Sequence, residues 1–209
     1  MSANFGETLA YWYLRLNGFF PLTNFVLHKG AVSYSADFDL LAVRFPYVYE
    51  VVGGQEGDWD IANFRLWDID LARDTVGLIV EVKTGANTRK LRENIVNSFS
   101  VDRLIYGIQR LGLWELNQVH HIAHELENQS IYRDPERNFV VGKLLIAANM
   151  PSENAIPAVP PCLKLHLGQL ENFVFNRIDD YNNSKQGDKL RFPDDLMQYI
   201  VWSRRRNRR

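Results

Sequence analysis

A short apolar stretch interrupted by two charges constrains this chain more than any other feature. Residues 78–85 read Leu-Ile-Val-Glu-Val-Lys-Thr-Gly, a composition typical of a buried β-strand. Alternate residues of a strand project from the same face, so Glu81 and Lys83 are expected to stand side by side near its end. Such a pair can hold a divalent metal and steady an attacking water or a developing anion. A surface ion pair of little energetic value is the alternative that these residues leave open.

Two upstream segments carry further acids. Residues 35–44 form a second predicted strand, in which Asp37 and Asp39 share one face with a leucine. The opposite face of that strand is expected to carry Phe38, Leu40 and Ala42. Residues 6–19 predict an amphipathic helix that ends at Gly18, with Glu7 on its inner stripe. A carboxylate on an inner stripe needs a partner, and a metal site would provide one.

Taken together, these segments resemble a known family. The pattern Gly-Glu-x-x-Ala-x-x-Tyr-Leu-x-x-x-Gly-aromatic is followed by Asp-Leu-Leu-Ala and then by Val-Glu-Val-Lys-Thr. This series resembles the PD-(D/E)XK, or restriction-endonuclease-like, nuclease superfamily. The resemblance implies an α/β fold with a central mixed four-stranded sheet flanked by helices, in αβββαβ order. It also implies hydrolysis of DNA phosphodiester bonds, in restriction, repair or mobile-element biology.

The resemblance assigns a role to each charged residue of the motifs. Asp39 and Glu81 match the two metal-binding acids, and the backbone carbonyl of Val82 matches a further oxygen ligand. Glu7 matches the acid that many members add from the first helix, and Lys83 matches the catalytic lysine. The implied cofactor is Mg²⁺ or Mn²⁺, and all four charged residues are candidate catalytic residues.

A second acid competes with Asp39 for the metal. Residues 68–74 contain Ile-Asp-Leu-Ala, so Asp70 also resembles the acid of the family's second strand. We favour Asp39 because its segment has the better β pattern and because Phe45 and Pro46 end it cleanly. Residues 53–74 would then be an insertion in a hairpin. The aromatic residues of this insertion are Trp59, Phe64 and Trp67. In the simpler interpretation they pack onto the sheet. Alternatively, they touch substrate or the second subunit of a homodimer.

Basic residues after the motifs are the candidate contacts to DNA or another nucleic acid. Residues 88–97 predict a polar helix on which Arg89 and Arg92 could meet a phosphate backbone. The tail, residues 204–209, would add contacts through Arg204, Arg205 and Arg206, and it leaves residues 1–203 with a net charge of −6. Simple solvation of these charges is the alternative in both places.

Composition predicts a single domain that covers residues 1–209. With 46% hydrophobic and 23% charged residues, the chain can bury one sizeable core and is not disordered. Residues 1–150 would form that core, including a buried strand over 139–148 beside the Glu81 strand. Residues 151–209 would be an extension with added helices packed on it. Because Cys162 is the only cysteine and no apolar run approaches about 18 residues, we expect a cytoplasmic protein without a membrane partner.

Three histidines lie close together in residues 113–129 and raise the question of a zinc site. Residues 113–129 predict a helix with His120, His121 and His124, but their order differs from the H-E-x-x-H zinc signature, so surface histidines are the better interpretation.

Three classes of function are consistent with the sequence. The chain could be an active nuclease, an inactive module of the same fold that binds nucleic acid or protein, or a structural protein with a fortuitous ion pair.

Overall fold

A computed structural model describes residues 4–29, 33–85, 95–150, 160–181 and 194–206, with the backbone alone described for 24–29, 33–37, 201, 205 and 206. The helices are α1 (Phe5–Leu16), a short 3₁₀ helix (Glu56–Asp58), α2 (Ile61–Leu66), α3 (Val101–Leu111), α4 (Leu116–Glu127), α5 (Leu167–Asp180) and α6 (Asp195–Arg206). The strands are β1 (Phe20–Lys29), β2 (Ser33–Arg44), β3 (Thr75–Lys83), β4 (Ile131–Arg133), β5 (Phe139–Ala147) and β6 (Leu163–His166). The protein is therefore an α/β protein.

The strands form one mixed sheet in which β3 is central. β2 pairs antiparallel with both β1 and β3, and β5 pairs parallel with β3. On the other side of β5, β4 pairs antiparallel and β6 parallel. The sheet thus has six strands within the described residues, and the prediction of a four-stranded sheet was too small because β4 and β6 extend it beyond β5. Flanked on both edges, β3 is buried along nearly all its length.

Apolar residues fill both faces of this sheet. On one face, alternate residues of β2 and β3 such as Leu40 and Val80 pack with α1, α5 and α6. On the other face, Leu41 and Ile79 pack with α3 and α4. The predicted alternation is wrong at Phe38, which packs with Leu41 and not with Leu40. Phe38 lies past the last residue at which β2 pairs with β3, so the register of that pair no longer fixes its direction.

The long connection between β2 and β3 packs onto the core. Phe64 is fully buried, and its ring stacks on that of Phe19 with the centroids 5.6 Å apart. The guanidinium of Arg44 lies 4.2 Å from the centre of the Trp59 ring. The Tyr13 hydroxyl donates to the Asp60 carboxylate at 2.8 Å, which ties the connection to α1. These contacts agree with the simpler interpretation of the aromatic residues, which is that they fasten the connection to the sheet.

The predicted helix over 113–129, the predicted strand over 139–148 and the added C-terminal helices lie close to their expected positions, whereas most of the predicted helix over 88–97 lies outside the described residues. Helix α4 buries Val119, Ile122, Ala123 and Leu126 and leaves its histidines exposed. Strand β5 lies beside β3 as expected, and α5 and α6 pack against α1. In the described ranges, none of the helices combines the length and apolar character needed to cross a bilayer.

A substitution in α2 tests how firmly the connection is built into the core. Phe64→Ala should lower the free energy of unfolding by about 3–5 kcal/mol, because it removes a buried ring and leaves a cavity. Leu66→Ala on the same helix is the matched control: its side chain is 81% exposed, and the expected change is within about 0.5 kcal/mol. Urea denaturation measures both, and equal effects of the two variants would contradict the packing described here.

Candidate active site

The candidate site lies where β2 and β3 separate. Their antiparallel pairing ends at Leu40 opposite Val80, although both strands continue beyond these residues. If the register continued by one residue, Asp39 would oppose Glu81. Instead, β2 separates from β3 at this point, whereas β3 stays paired with β5 up to Lys83, the last residue of β3. The divergence opens a space between two strands into which polar side chains can project.

Asp39 occupies the gap that this separation creates. Its Oδ2 atom accepts a hydrogen bond from the backbone N–H of Val82 at 2.7 Å. The Nζ atom of Lys83 lies 3.8 Å from the same oxygen. A side-chain carboxylate therefore satisfies a strand N–H just past the point where the pairing with β2 has ended, as buried backbone groups require.

Glu81 is the most buried charged group of the site, with 4% of its surface exposed. Its Oε1 atom accepts a hydrogen bond from the Lys83 ammonium. Its Oε2 atom lies 3.8 Å from Nη2 of Arg103 and receives no hydrogen bond from the described residues. Burial of a carboxylate is costly unless cations or donors compensate it. Glu81 thus depends on two flanking cations, and one of its oxygens lacks a donor.

The pKa of Asp39 reports the electrostatics of the site. Burial, followed by the charge of Glu81, raises the pKa of the Asp39 carboxyl from its ordinary 3.8 to about 6. The hydrogen bond from the Val82 N–H and the charge of Lys83 act in the opposite direction, and the charge of Glu7 adds a smaller upward effect. A carboxyl group whose pKa is raised by burial and by a neighbouring acid is a candidate for a functional site.

The beginning of α1 brings Glu7 to the site. Asn4 caps the helix, accepting the N–H groups of Gly6 at 2.9 Å and Glu7 at 3.1 Å, and its side-chain amide donates to the Glu7 carboxylate. A Cβ atom on Gly6 would lie 2.5 Å from Cγ2 of Thr84, just after β3. Glycine therefore allows this close approach of helix and strand without displacing the Thr84 side chain. The sequence motif Gly-Glu thus has a physical basis: the glycine docks the helix and the acid follows it.

Arg103 is a site residue that the sequence reasoning missed. It lies on the first turn of α3, with its guanidinium 4.8 Å from the centre of the Phe38 ring. One turn later, a Cβ atom on Gly107 would lie 2.8 Å from Cδ1 of Ile79, so α3 sits very close to the sheet. The sequence analysis placed candidate basic contacts on residues 88–97 and not on the following helix. A small residue one turn after an arginine was the available signal.

The other predicted site residues lie elsewhere or outside the described part of the chain. Asp70 lies in a turn before β3, where it accepts the N–H of Ala72 at 2.9 Å. This is the opposite end of the strand from Glu81, so the geometry favours Asp39 as the acid that accompanies Glu81. Arg204 pairs with Glu171 at 2.9 Å and thereby links α6 to α5. The remaining candidates lie outside what the structure describes, as whole residues or as side chains: Arg89, Arg92, Arg205 and Arg206.

The donor set can be compared with the needs of a divalent cation. Mg²⁺ and Mn²⁺ prefer carboxylate and carbonyl oxygens, which Asp39, Glu81 and the Val82 backbone can offer. The Glu81 oxygen without a hydrogen-bond donor is the clearest position for such an ion. Within the described ranges, no three side chains of the His, Cys, Asp and Glu types are arranged to hold a metal together. Asp39 and Glu81 could therefore offer two carboxylates to such an ion, with water and backbone oxygen completing its shell.

Comparisons with protein-family models, with characterised proteins and with solved structures found no match for this chain. The geometry of the site and the order of its strands and helices consequently carry the functional argument.

The raised pKa of Asp39 predicts how stability responds to pH. The folded-state pKa of about 6 lies above the ordinary value, so the folded protein binds the proton more tightly than the unfolded chain does, and ionisation destabilises the fold. This cost is fully present above about pH 6 and disappears below about pH 4. Asp39→Asn should therefore be more stable than the wild type at about pH 8, by roughly 1–3 kcal/mol. Urea denaturation across this pH range measures the difference, and a gap that fails to close in acid would contradict the assignment.

Proposed function

We propose that this protein is a divalent-metal-dependent nuclease that hydrolyses phosphodiester bonds of DNA. The observation that carries the proposal is the Glu81 carboxylate, buried beside Asp39 and Lys83 with one oxygen that receives no hydrogen bond from the described residues. A buried polar atom without a partner is expensive, and it is retained where a ligand completes it. Two acids and a lysine at the point where two strands diverge provide the electrostatic elements of metal-assisted phosphoryl chemistry.

The arrangement of the core supports the same proposal at the level of fold. Helix α1 precedes β1, β2 and β3, and α3 and α4 lie between β3 and the parallel strand β5. With α2, one of the two helices after β3, and β4 taken as insertions, this order resembles the αβββαβ core of the restriction-endonuclease-like proteins. In the proposed scheme, β4 and β6 are additions to that core at the β5 edge.

In this proposal each residue of the site has a separate task. Asp39 and Glu81 would hold one Mg²⁺ or Mn²⁺, and the Val82 carbonyl, directly after Glu81 on β3, would be a third oxygen ligand. Such an ion polarises the scissile phosphate and lowers the pKa of bound water. Lys83 would orient the attacking water or stabilise the charge that develops on the phosphate, since its compact ammonium acts as a point charge. Glu7 would act through water, because its charge reaches Asp39 without a direct hydrogen bond to it.

A second candidate function is a nuclease-like module that binds nucleic acid or protein without cutting. One observation favours it: Lys83 donates to Glu81 and Arg103 lies on the other side of the same carboxylate, so the acid already has counter-charges. A purely structural ion-pair network would look similar. Thermal unfolding with and without Mn²⁺ distinguishes a metal site from a purely structural network, because a ligand of the native state raises the melting temperature. A plasmid-nicking assay then distinguishes a nuclease from a module that binds without cutting.

Substitution of the acids tests the proposed metal site. Glu81→Ala and Asp39→Ala should each reduce Mn²⁺-dependent plasmid cleavage by about 10² or more, and should abolish the stabilisation by Mn²⁺, because each removes an ion ligand. Asp70→Ala is the matched control and should cleave at the wild-type rate. If Asp70→Ala were inactive while Asp39→Ala cleaved normally, the acid assigned from the geometry would be wrong.

Substitution of the lysine separates binding from chemistry. Lys83→Ala should bind Mn²⁺ at least as tightly as the wild type, since a positive neighbour of the ion is lost, while cleavage should fall by about 10² or more. Calorimetric titration and a plasmid-nicking assay measure the two effects on the same preparation. A Lys83→Ala variant that cuts at the wild-type rate would remove this residue from the mechanism, and a wild-type protein that binds Mn²⁺ but cuts no nucleic acid would leave the binding module.

A further inference from the structure

The two cations that flank Glu81 hold it in different ways. Lys83 makes a hydrogen bond to Oε1, whereas Arg103 lies 3.8 Å from Oε2, beyond hydrogen-bond distance. The oxygen that faces Arg103 is also the oxygen that no described residue donates to. The contact between Arg103 and Glu81 is therefore electrostatic and loose, and an ion that approached Oε2 would meet no hydrogen bond that it must break.

The surroundings of Arg103 hold its side chain independently of Glu81. The guanidinium lies over the Phe38 ring at 4.8 Å, and 11% of the side chain is exposed. A guanidinium over an aromatic face is attracted by the ring's electron density. The close approach of α3 to the sheet at Gly107 fixes the helix that carries it. Loss of its contact with Glu81 would therefore leave the guanidinium at the site.

We infer that Arg103 is an exchangeable counter-cation: it neutralises Glu81 in the metal-free protein and transfers to a phosphate of the nucleic acid once a metal occupies Glu81 Oε2. This inference rests on the proposed function. Arginine suits the second role because its planar fork matches the oxygens of a phosphate. While it neutralises Glu81, Arg103 competes with the metal for that carboxylate. When it binds a phosphate, Arg103 and the metal attract the same anion. Removal of Arg103 should therefore raise the affinity for the metal and lower the affinity for the nucleic acid.

The experiment compares Arg103→Gln with Arg103→Lys and with a control on the same helix. Arg110→Gln removes an equal charge from an exposed position of α3 and corrects for the change in net charge. Calorimetry measures Mn²⁺ affinity without nucleic acid. Fluorescence anisotropy measures binding of a labelled duplex oligonucleotide in Ca²⁺, a cation that also prefers oxygen ligands. Urea denaturation shows whether each variant is folded.

For Arg103→Gln we expect Mn²⁺ to bind about tenfold more tightly and the duplex about tenfold more weakly than for Arg110→Gln, because one positive charge near the shared oxygen is lost. Arg103→Lys should restore much of both affinities, which a purely structural role would not produce. The inference would be overturned if Arg103→Gln bound Mn²⁺ more weakly than Arg110→Gln, or if the two variants had equal affinities for Mn²⁺ and for the duplex. Tighter Mn²⁺ binding with unchanged duplex binding would overturn the transfer to phosphate.

The proposed function fails in a different way. A wild-type chain that binds no Mn²⁺ would remove the metal site and this inference with it. A wild-type chain that binds Mn²⁺ and cuts DNA, with Arg103→Gln equal to its control, would overturn the role of Arg103 alone.

Discussion

The burial of the Glu81 carboxylate is the constraint on which the organisation of the site depends. A charge with 4% of its residue surface exposed must be compensated by opposite charge or by donors. The protein provides Lys83 on the same strand and Arg103 from the helix that covers it. The guanidinium of Arg103 also lies over the Phe38 ring, so its position depends on that aromatic face as well as on the acid. Removing either partner from such a set leaves a buried charge uncompensated, which makes the three residues interdependent.

The backbone creates the space for these charges by letting two strands separate. β3 remains supported along its full length by β5, so it can lose its antiparallel partner near the end without losing its position. The Asp39 carboxylate then replaces part of the missing pairing by accepting the Val82 N–H. Gly6 and Gly107 let α1 and α3 approach on the two faces of this end of the sheet. The site is therefore assembled by one sheet and by helices of both layers.

The connection between β2 and β3 packs against the core at the end of the sheet away from the candidate site. Phe64 and Trp59 fasten it to the core, and Arg44 is fully buried, donating to the Asn17 carbonyl at 2.9 Å. The candidate site is thus confined to the end of β3 that carries Glu81, and packing explains the aromatic residues of the connection. In the site itself, the acids and cations form one charge network, in which Lys83 lies 3.8 Å from Asp39 and Arg103 lies 3.8 Å from Glu81.

The sequence by itself determined the local patterns: the amphipathic helix that ends before Gly18, the buried strands around Glu81, and the side-by-side placement of Glu81 and Lys83, because periodicity depends only on neighbouring residues. It also favoured Asp39, and the geometry places that residue against the end of β3. The alternation of residues 163–167 indicated an edge strand, but the sequence could not predict that this strand and β4 both pair with β5, because the choice of a distant partner leaves no local periodicity. It placed Phe38 on the wrong face, since the direction of that side chain depends on where β2 leaves β3. Only the tertiary structure brought Arg103 to Glu81. The two residues lie on a helix and on a strand, and the packing of α3 on the sheet sets the distance between them.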